Sequence, residues 1–487
     1  MNNPTSTVFQ EKQSLLTSLL SLVKLNPALG FFALFTILWF IAPPTGLTVQ
    51  AWHLFIIFLG TIFAIIAKVL PMGALCVLAI TFCTMTKTLT INQALSGFSS
   101  HIVWLTFLAF LLARGFIKTG LGSRIAYYFV YFMGKSTLGL AYGLVTTEFV
   151  LAPFVPSNTA RGAGILFPIV TALNQEYGSS PKEGTQRKMG AYLMKLCYQT
   201  NVVTSAMFLT AMAGNPLIAS LGTKLGVDMS WTNWCFAALV PGLINLMILP
   251  LVLFKLYPPE TRETPAAPQF AQKKLEEMGK LKSQEWVMLG TFGILLTLWI
   301  IGGHFEISAT TAAFLGLAIL LSTGVLDWDD ILKEHNAWHT FIWLAVFLTM
   351  SNFLTEFGMI AWFSNHVQTA VSPYHWIISL GIISLVYYYS HYMFASMAAH
   401  IGSMFGAFAM VAITAGSPPF VAVMLLAVFS SLCAGITHYG TGTAPVYFGA
   451  NYITLKDWWR LGAIISLLDI VVWATVGPLW WKIIGFW

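Results

Sequence analysis

Charge is scarce in this chain. Asp, Glu, Lys and Arg together make up 9% of its 487 residues, whereas 57% are hydrophobic, and the mean hydropathy is +0.76. That scarcity excludes a separate soluble domain. About 20 apolar residues span a bilayer as a helix, and runs of that size recur along nearly the whole length, so the chain reads as an all-α polytopic membrane protein. Cysteine is scarce too, with five in all: Cys76, Cys83, Cys197 and Cys433 sit in apolar runs and Cys235 at the start of one. Neither metal-ligand spacing nor a paired framework emerges, and they read as packing residues. A nucleophile–base pair at one membrane depth is also missing, which argues against a membrane-embedded enzyme. The net charge of +6 calls for no nucleic-acid partner, because the cations fall in loops facing anionic membrane lipid. Residues 1–27 lack a basic-then-apolar-then-small pattern and read as a cytoplasmic lead-in, without a cleavable signal peptide.

What is present is a set of apolar runs punctuated by Pro, Gly and charge. The predicted spans lie near 28–48, 52–69, 71–88, 104–132, 189–213, 231–256, 284–303, 307–323, 340–364, 419–437 and 462–485, with 89–103 a candidate part of a broken third span. Two shorter folded-back pairs remain, near 137–175 and 375–414. The first carries Pro153-Phe154-Val155-Pro156-Ser157-Asn158-Thr159-Ala160-Arg161 at its middle, and the second a polar stretch from His391 to Ser403. In hydrocarbon an unpaired polar group costs several kcal/mol, so irregular polar chain at that depth is tolerated only around a protein-lined or water-filled cavity. The fold expected is therefore about eleven membrane helices plus two re-entrant hairpins, the plan of a secondary transporter. A channel needs a continuous pore instead of paired breaks.

The chain repeats itself. Trp104-Leu105 followed by Phe116-Ile117-Lys118-Thr119-Gly120 matches Trp343-Leu344 followed by Phe353-Leu354-Thr355-Glu356-Phe357-Gly358, and Gly214-Asn215-Pro216 matches Thr443-Ala444-Pro445. Eleven crossings put the termini on opposite sides. With the N-terminus inside and the C-terminus outside, Lys12, Lys24, Lys68, Arg124, Lys135, Lys182, Arg187, Lys188, the 255–283 cluster, Lys333, Lys456 and Arg460 face the cytoplasm, and only Lys87, Lys224 and Lys482 do not. That count puts the hairpins on opposite sides and makes the repeats inverted. The divisions expected are scaffold helices at 28–136 and 285–366, a first transport half at 137–256 with the cytoplasmic hairpin, and a second at 367–487 with the outer one. A cytoplasmic linker at 257–284 joins the halves; it reads as mobile, with a surface helix from Ala271 to Lys282.

A half-helix starting near Ser157 aims its unpaired N–H groups and positive dipole end at the cavity, which suits a carboxylate. Asn158 and Thr159 add donors, and Ser157, Asn158 and the backbone at Gly214 and Asn215 are candidate ligands of a small cation such as sodium. Arg161 has two readings: a charged hydrogen-bond donor to substrate, or a partner for Glu148 on the other hairpin arm. Glu356 and Asp469 read as interface residues or proton carriers.

Pro156-Ser157-Asn158-Thr159-Ala160, its hairpin, the eleven-span plan and the closing Gly440-Thr441-Gly442-Thr443-Ala444-Pro445 and Trp458-Trp459-Arg460-Leu461-Gly462 resemble the divalent anion:sodium symporter family over most of the chain. The likeness is to its bacterial branch of citrate, tartrate, malate and 2-oxoglutarate carriers. It implies a Ser-Asn-Thr motif at each hairpin tip, substrate contacts at Asn158 and Thr159, a cation position at Ser157, Asn158 and Gly214, a homodimer in the bacterial cell membrane, and elevator motion. The substrate implied is a di- or tricarboxylate; no cofactor other than sodium is implied. The outer tip departs from the pattern: Ser396-Met397-Ala398-Ala399-His400 lacks the Asn and Thr. Ser396, His400, Ser403 and the break at Thr441, Gly442, Thr443 and Pro445 remain to hold the far carboxylate, with a protonated His400 standing in for a second cation. Sodium-independent exchange is then expected, with sodium symport as the alternative. Two readings of His400 stay open: a ligand at the tip, or a structural residue with the register moved to Ser403. His391, His400 and His438 lack metal-ligand spacing and read as structural.

Overall fold

A computed structural model describes residues 35–67, 69–359, 361–363, 375–394 and 396–487. The lead-in 1–27, the first part of the 28–48 span and Lys12, Lys24 and Lys68 lie outside the described residues. Helices dominate: α1 (Val49–Ile66), α2 (Met72–Met85), α3 (His101–Thr119), α4 (Leu121–Met133), α5 (Thr137–Leu151), α6 (Phe167–Glu176), α7 (Gly190–Met207), α8 (Asn215–Lys224) and α9 (Trp231–Leu256) form the first half. After a linker helix, α10 (Ala266–Met278), the order recurs as α11 (Ser283–Ile301), α12 (Ala309–Ser322), α13 (His335–Glu356), α14 (Trp376–Ser390), α15 (Gly406–Thr414), α16 (Pro419–Leu432) and α17 (Leu455–Ile483). Among the described residues seven helices are long and apolar enough to cross a membrane, including the continuous Met397–Thr414 arm, and four shorter apolar ones accompany them.

Local chemistry sets the boundaries. Thr48, Ser136, Ser230, Ser308 and Thr454 each accept a backbone N–H of the helix they precede, satisfying one of its orphan donors. The predicted span at 104–132 is two helices, because Gly120 takes φ +76, a left-handed turn that ends α3 and opens α4. Lys118, Thr119 and Gly120 before the break and Arg124 after it are an end-of-helix signal that the reading of 104–132 as one apolar span passes over. Pro241 lies inside α9 and leaves the carbonyl four residues back without its helical donor. The indole N–H of Trp481 on α17 donates to that carbonyl, on Ala237, at 2.8 Å.

The linker differs from expectation in both extent and docking. Its helix begins at Ala266, not Ala271, and packs on α4. Thr137 donates to Thr261 O at 2.6 Å, and Thr264 N donates to Lys135 O at 2.9 Å. Arg124 donates to Gly279 O at 2.9 Å and to Met278 O at 3.4 Å, and just beyond the linker it pairs with Glu285 at 2.6 and 3.1 Å with both side chains buried. A Pro- and Lys-rich composition suggests mobility, but these bonds hold the segment to the first half.

Two packing groups are visible. α1, α2, α3, α11, α12 and α13 pack chiefly on one another, whereas the two hairpins pack around α7, α9, α16 and α17. α7 is buried along its whole length and meets α16, itself buried from Val421 to Leu432, at the centre of the second group.

Candidate functional site

The site is built from four breaks in helical structure. In the first hairpin α5 stops before Pro153 and Pro156, and the chain restarts at Ser157, whose Oγ accepts Ala160 N at 3.1 Å. In the second, α14 ends in a single turn, His391–Met393, and the chain restarts at Ser396, whose Oγ accepts Ala399 N at 3.4 Å. The two serines are thus equivalent N-caps, each bonded three residues on. This fixes the register of the outer tip: Ser157, Asn158 and Thr159 correspond to Ser396, Met397 and Ala398, and Arg161 corresponds to His400. In both arms a π-helical turn follows, Ala160–Leu166 and Ile401–Phe405, a distortion frequent at functional sites. The other two breaks follow α7, at Phe208–Gly214, and α16, at Cys433–Thr443.

A cavity of about 210 Å³ lies between these breaks. Ser157 and Asn158 line it from one tip, Ser396, Met397 and Ala398 from the other, and Gly214, Thr441 and Gly442 from the two loops. Phe110 of α3 and Trp343 of α13 close it from the other packing group. Two restarted helices therefore point their N-terminal ends at one space, an arrangement that favours negative charge. Among the described residues no Arg, Lys or His lines it.

Thr159 sits directly behind this wall: a Cβ added at Gly442 falls 2.6 Å from Thr159 Oγ1, so the first hairpin and the second loop meet there without room for a side chain. Arg161 is wholly buried and fully engaged. Its Nε donates to Glu148 Oε1 at 2.8 Å, one Nη to Val155 O and to Ala211 O, and the other to Ser205 Oγ at 2.9 Å. Of its two readings, the pairing with Glu148 is the one the geometry contains. Glu148 also accepts from Asn201, which donates to Asn158 O at 3.0 Å.

Asn215 closes the end of α7, donating to Ser205 O and Phe208 O at 2.8 and 2.9 Å, and is not part of the cavity wall. Thr443 is buried against Asn201, 3.4 Å from its Oδ1, and Pro445 lies in the short helix Ala444–Gly449 outside the wall. His400 is behind the outer tip, buried, with Nε2 2.9 Å from Ser390 Oγ. Ser403 Oγ donates back to Ala399 O and His400 O at 2.7 and 3.1 Å. Neither faces the cavity.

Sequence reasoning leaves out Phe110, since aromatic residues are common throughout the chain and nothing local marks it, and it marks Trp343 only as a landmark of the internal repeat, not as a cavity residue. Lys195 is also unmarked, although a lysine inside an apolar run is a signal in itself. It is wholly buried on α7, with Nζ 3.4 Å from Gly435 O and 4.1 Å from the Trp458 ring centroid.

A cavity that carries Ser157, Asn158, Ser396 and Thr441 on its wall and is closed by paired hairpin tips among apolar helices is the site of a membrane transport protein. Residues 23–487 match the family described as the sodium:sulfate symporter transmembrane region, and the chain belongs to that family, the divalent anion:sodium symporters. It is 52% identical over 96% of its length to YflS of Bacillus subtilis (strain 168), a protein provisionally named a malate transporter, 98% of which is covered. It is 47% identical to the chloroplastic dicarboxylate transporter 1 of Spinacia oleracea, over 95% of this chain and 82% of that one. The citrate/succinate antiporter of Escherichia coli (strain K12) is 34% identical, over 93% and 96%. The YdaH transporter of Alcanivorax borkumensis shares the fold, with a TM-score of 0.56 over 84% of this chain and 89% of that one at 12% identity. These relatives are transporters, as the sequence reading expects, and the all-helical multi-pass fold agrees with it.

Proposed function

We propose that this chain exchanges small dicarboxylates of the malate, succinate and 2-oxoglutarate size, or citrate, across the membrane. The observation that carries the reading is the cavity between two capped helix starts, Ser157 and Ser396, with Asn158 at one end. Two such ends suit two carboxylates of one short dianion. The relatives named for malate, dicarboxylates and citrate/succinate support the substrate class. Exchange is favoured because Met397 and Ala398 offer no side-chain oxygen for a second cation at the outer tip. Elevator motion accounts for a site carried almost wholly by one packing group and closed by Phe110 and Trp343 of the other. The inward N-terminus, outward C-terminus and homodimer belong to the same reading.

The sodium-coupled alternative has its own observation. With no basic side chain on the wall, a cation held by Ser157, Asn158 and the Gly214 backbone offsets part of the substrate charge. Counterflow in proteoliposomes separates the two. Uptake of labelled malate or 2-oxoglutarate is expected to require unlabelled dicarboxylate inside and to survive replacement of sodium by choline. Uptake into empty vesicles driven by a sodium gradient alone establishes the symporter instead.

A further inference from the structure

Behind the outer tip three side chains converge that the substrate cavity does not use. His391 ends the first arm of the hairpin, His400 follows the tip, and Cys433 starts the break after α16. One ligand atom from each lies within 4.8 Å of the other two, and the side chains are 1, 0 and 2% exposed. The surroundings favour the same tautomer in both imidazoles. His391 Nε2 faces Gly440 O at 3.1 Å, a carbonyl that only accepts, so the proton is on Nε2. His400 Nε2 faces Ser390 Oγ at 2.9 Å. A proton on His400 Nδ1 would be buried without an acceptor, which favours the tautomer in which Nε2 donates to Ser390 Oγ and the hydroxyl donates to Tyr387 O at 2.7 Å. Each Nδ1 is left as a bare lone pair, buried and without a hydrogen-bond partner. The Cys433 thiol makes only a long contact, 3.4 Å, to Ser430 O.

Two imidazoles anchored through their far N–H groups by a carbonyl and a hydroxyl are what metal-ligating histidines require of their surroundings. We propose that His391 Nδ1, His400 Nδ1 and Cys433 Sγ bind a nitrogen- and sulfur-seeking divalent ion of the zinc class. Binding forms two metal–nitrogen bonds and one metal–sulfur bond; the ion sheds water and the thiol releases its proton to solvent. With one ring nitrogen of each histidine and the sulfur within 4.8 Å of one another, an ion at their centre lies at most roughly 2.8 Å from each, against about 2.0–2.1 Å for nitrogen and about 2.3 Å for sulfur in zinc sites, so the nitrogens close by about 0.7 Å and the sulfur by about half an ångström. The ion joins both arms of the outer hairpin to the broken helix, and its occupancy slows movement of the tip that carries Ser396.

The test uses the full-length protein in detergent with its affinity tag removed, titrated with Co2+ and then Zn2+. Wild type, and a variant with Cys76, Cys83, Cys197 and Cys235 changed to Ser, are expected to bind about one Co2+ per chain with a thiolate charge-transfer band that Zn2+ abolishes. Cys433→Ser loses the band, and His391→Gln weakens binding tenfold or more. X-ray absorption of the zinc-loaded wild type, which needs no variant, is expected to show one sulfur at about 2.3 Å beside nitrogen at about 2.0 Å. Absence of saturable binding, a band that persists in Cys433→Ser, or a shell of light atoms alone overturns the site.

Discussion

At the scale of single residues, Asn158 and Arg161 sit three positions apart and do different work. Asn158 faces the cavity, and on the proposed function Asn158→Ala is expected to cost a hydrogen bond to a carboxylate, about 1.5–3 kcal/mol or tenfold or more in affinity. Binding of labelled substrate to purified protein checks this, and wild-type affinity removes the tip from the site. Arg161 holds the hairpin together. Arg161→Gln leaves Glu148 buried and uncompensated and is expected to cost about 3–5 kcal/mol of stability, seen as a lower melting temperature in detergent. Arg161→Met combined with Glu148→Leu recovers part of that loss if the role is structural; a substrate role instead leaves stability unchanged and weakens binding. Ser157 and Asn158 are legible in the sequence because polar residues beside prolines stand out in an apolar run. The choice between the two roles of Arg161 is not legible, since it depends on Ser205, Ala211 and Glu148 arriving from three separate elements.

At the scale of elements, the breaks interlock. A Cβ added at Gly162, in the second arm of the first hairpin, falls 2.7 Å from Thr443 Cγ2 in the loop after α16. Gly162→Ala is therefore expected to impair transport at normal expression, and Thr443→Ser, which removes that methyl, to restore most of it. Equal impairment in the double variant contradicts the contact. The hairpins and α9 are readable from Pro, Ser and the lengths of apolar runs. The outer register is not, because Met397 and Ala398 have replaced the marker residues, and only the shared N-cap bonding of Ser157 and Ser396 restores it. The division at Gly120 is marked by Lys118, Thr119 and Arg124 and is lost only because the apolar run is read by length; the docking of α10 escapes because composition does not tell a docked charged helix from a mobile one.

At the scale of the molecule, the proposed exchange requires that one cavity, carried by the hairpins and the breaks after α7 and α16 and closed by Phe110 and Trp343, serves substrate on both sides of the membrane. Ala213 lines that cavity and is small, so Ala213→Cys in a chain freed of its five native cysteines places a reporter there with little disturbance. Reaction with a membrane-impermeant maleimide, applied separately to each face of oriented vesicles, measures access. The reporter is expected to react from both faces, and malate or succinate is expected to slow the reaction from each. Labelling from one face only, or labelling that substrate does not slow, contradicts a single cavity of alternating access.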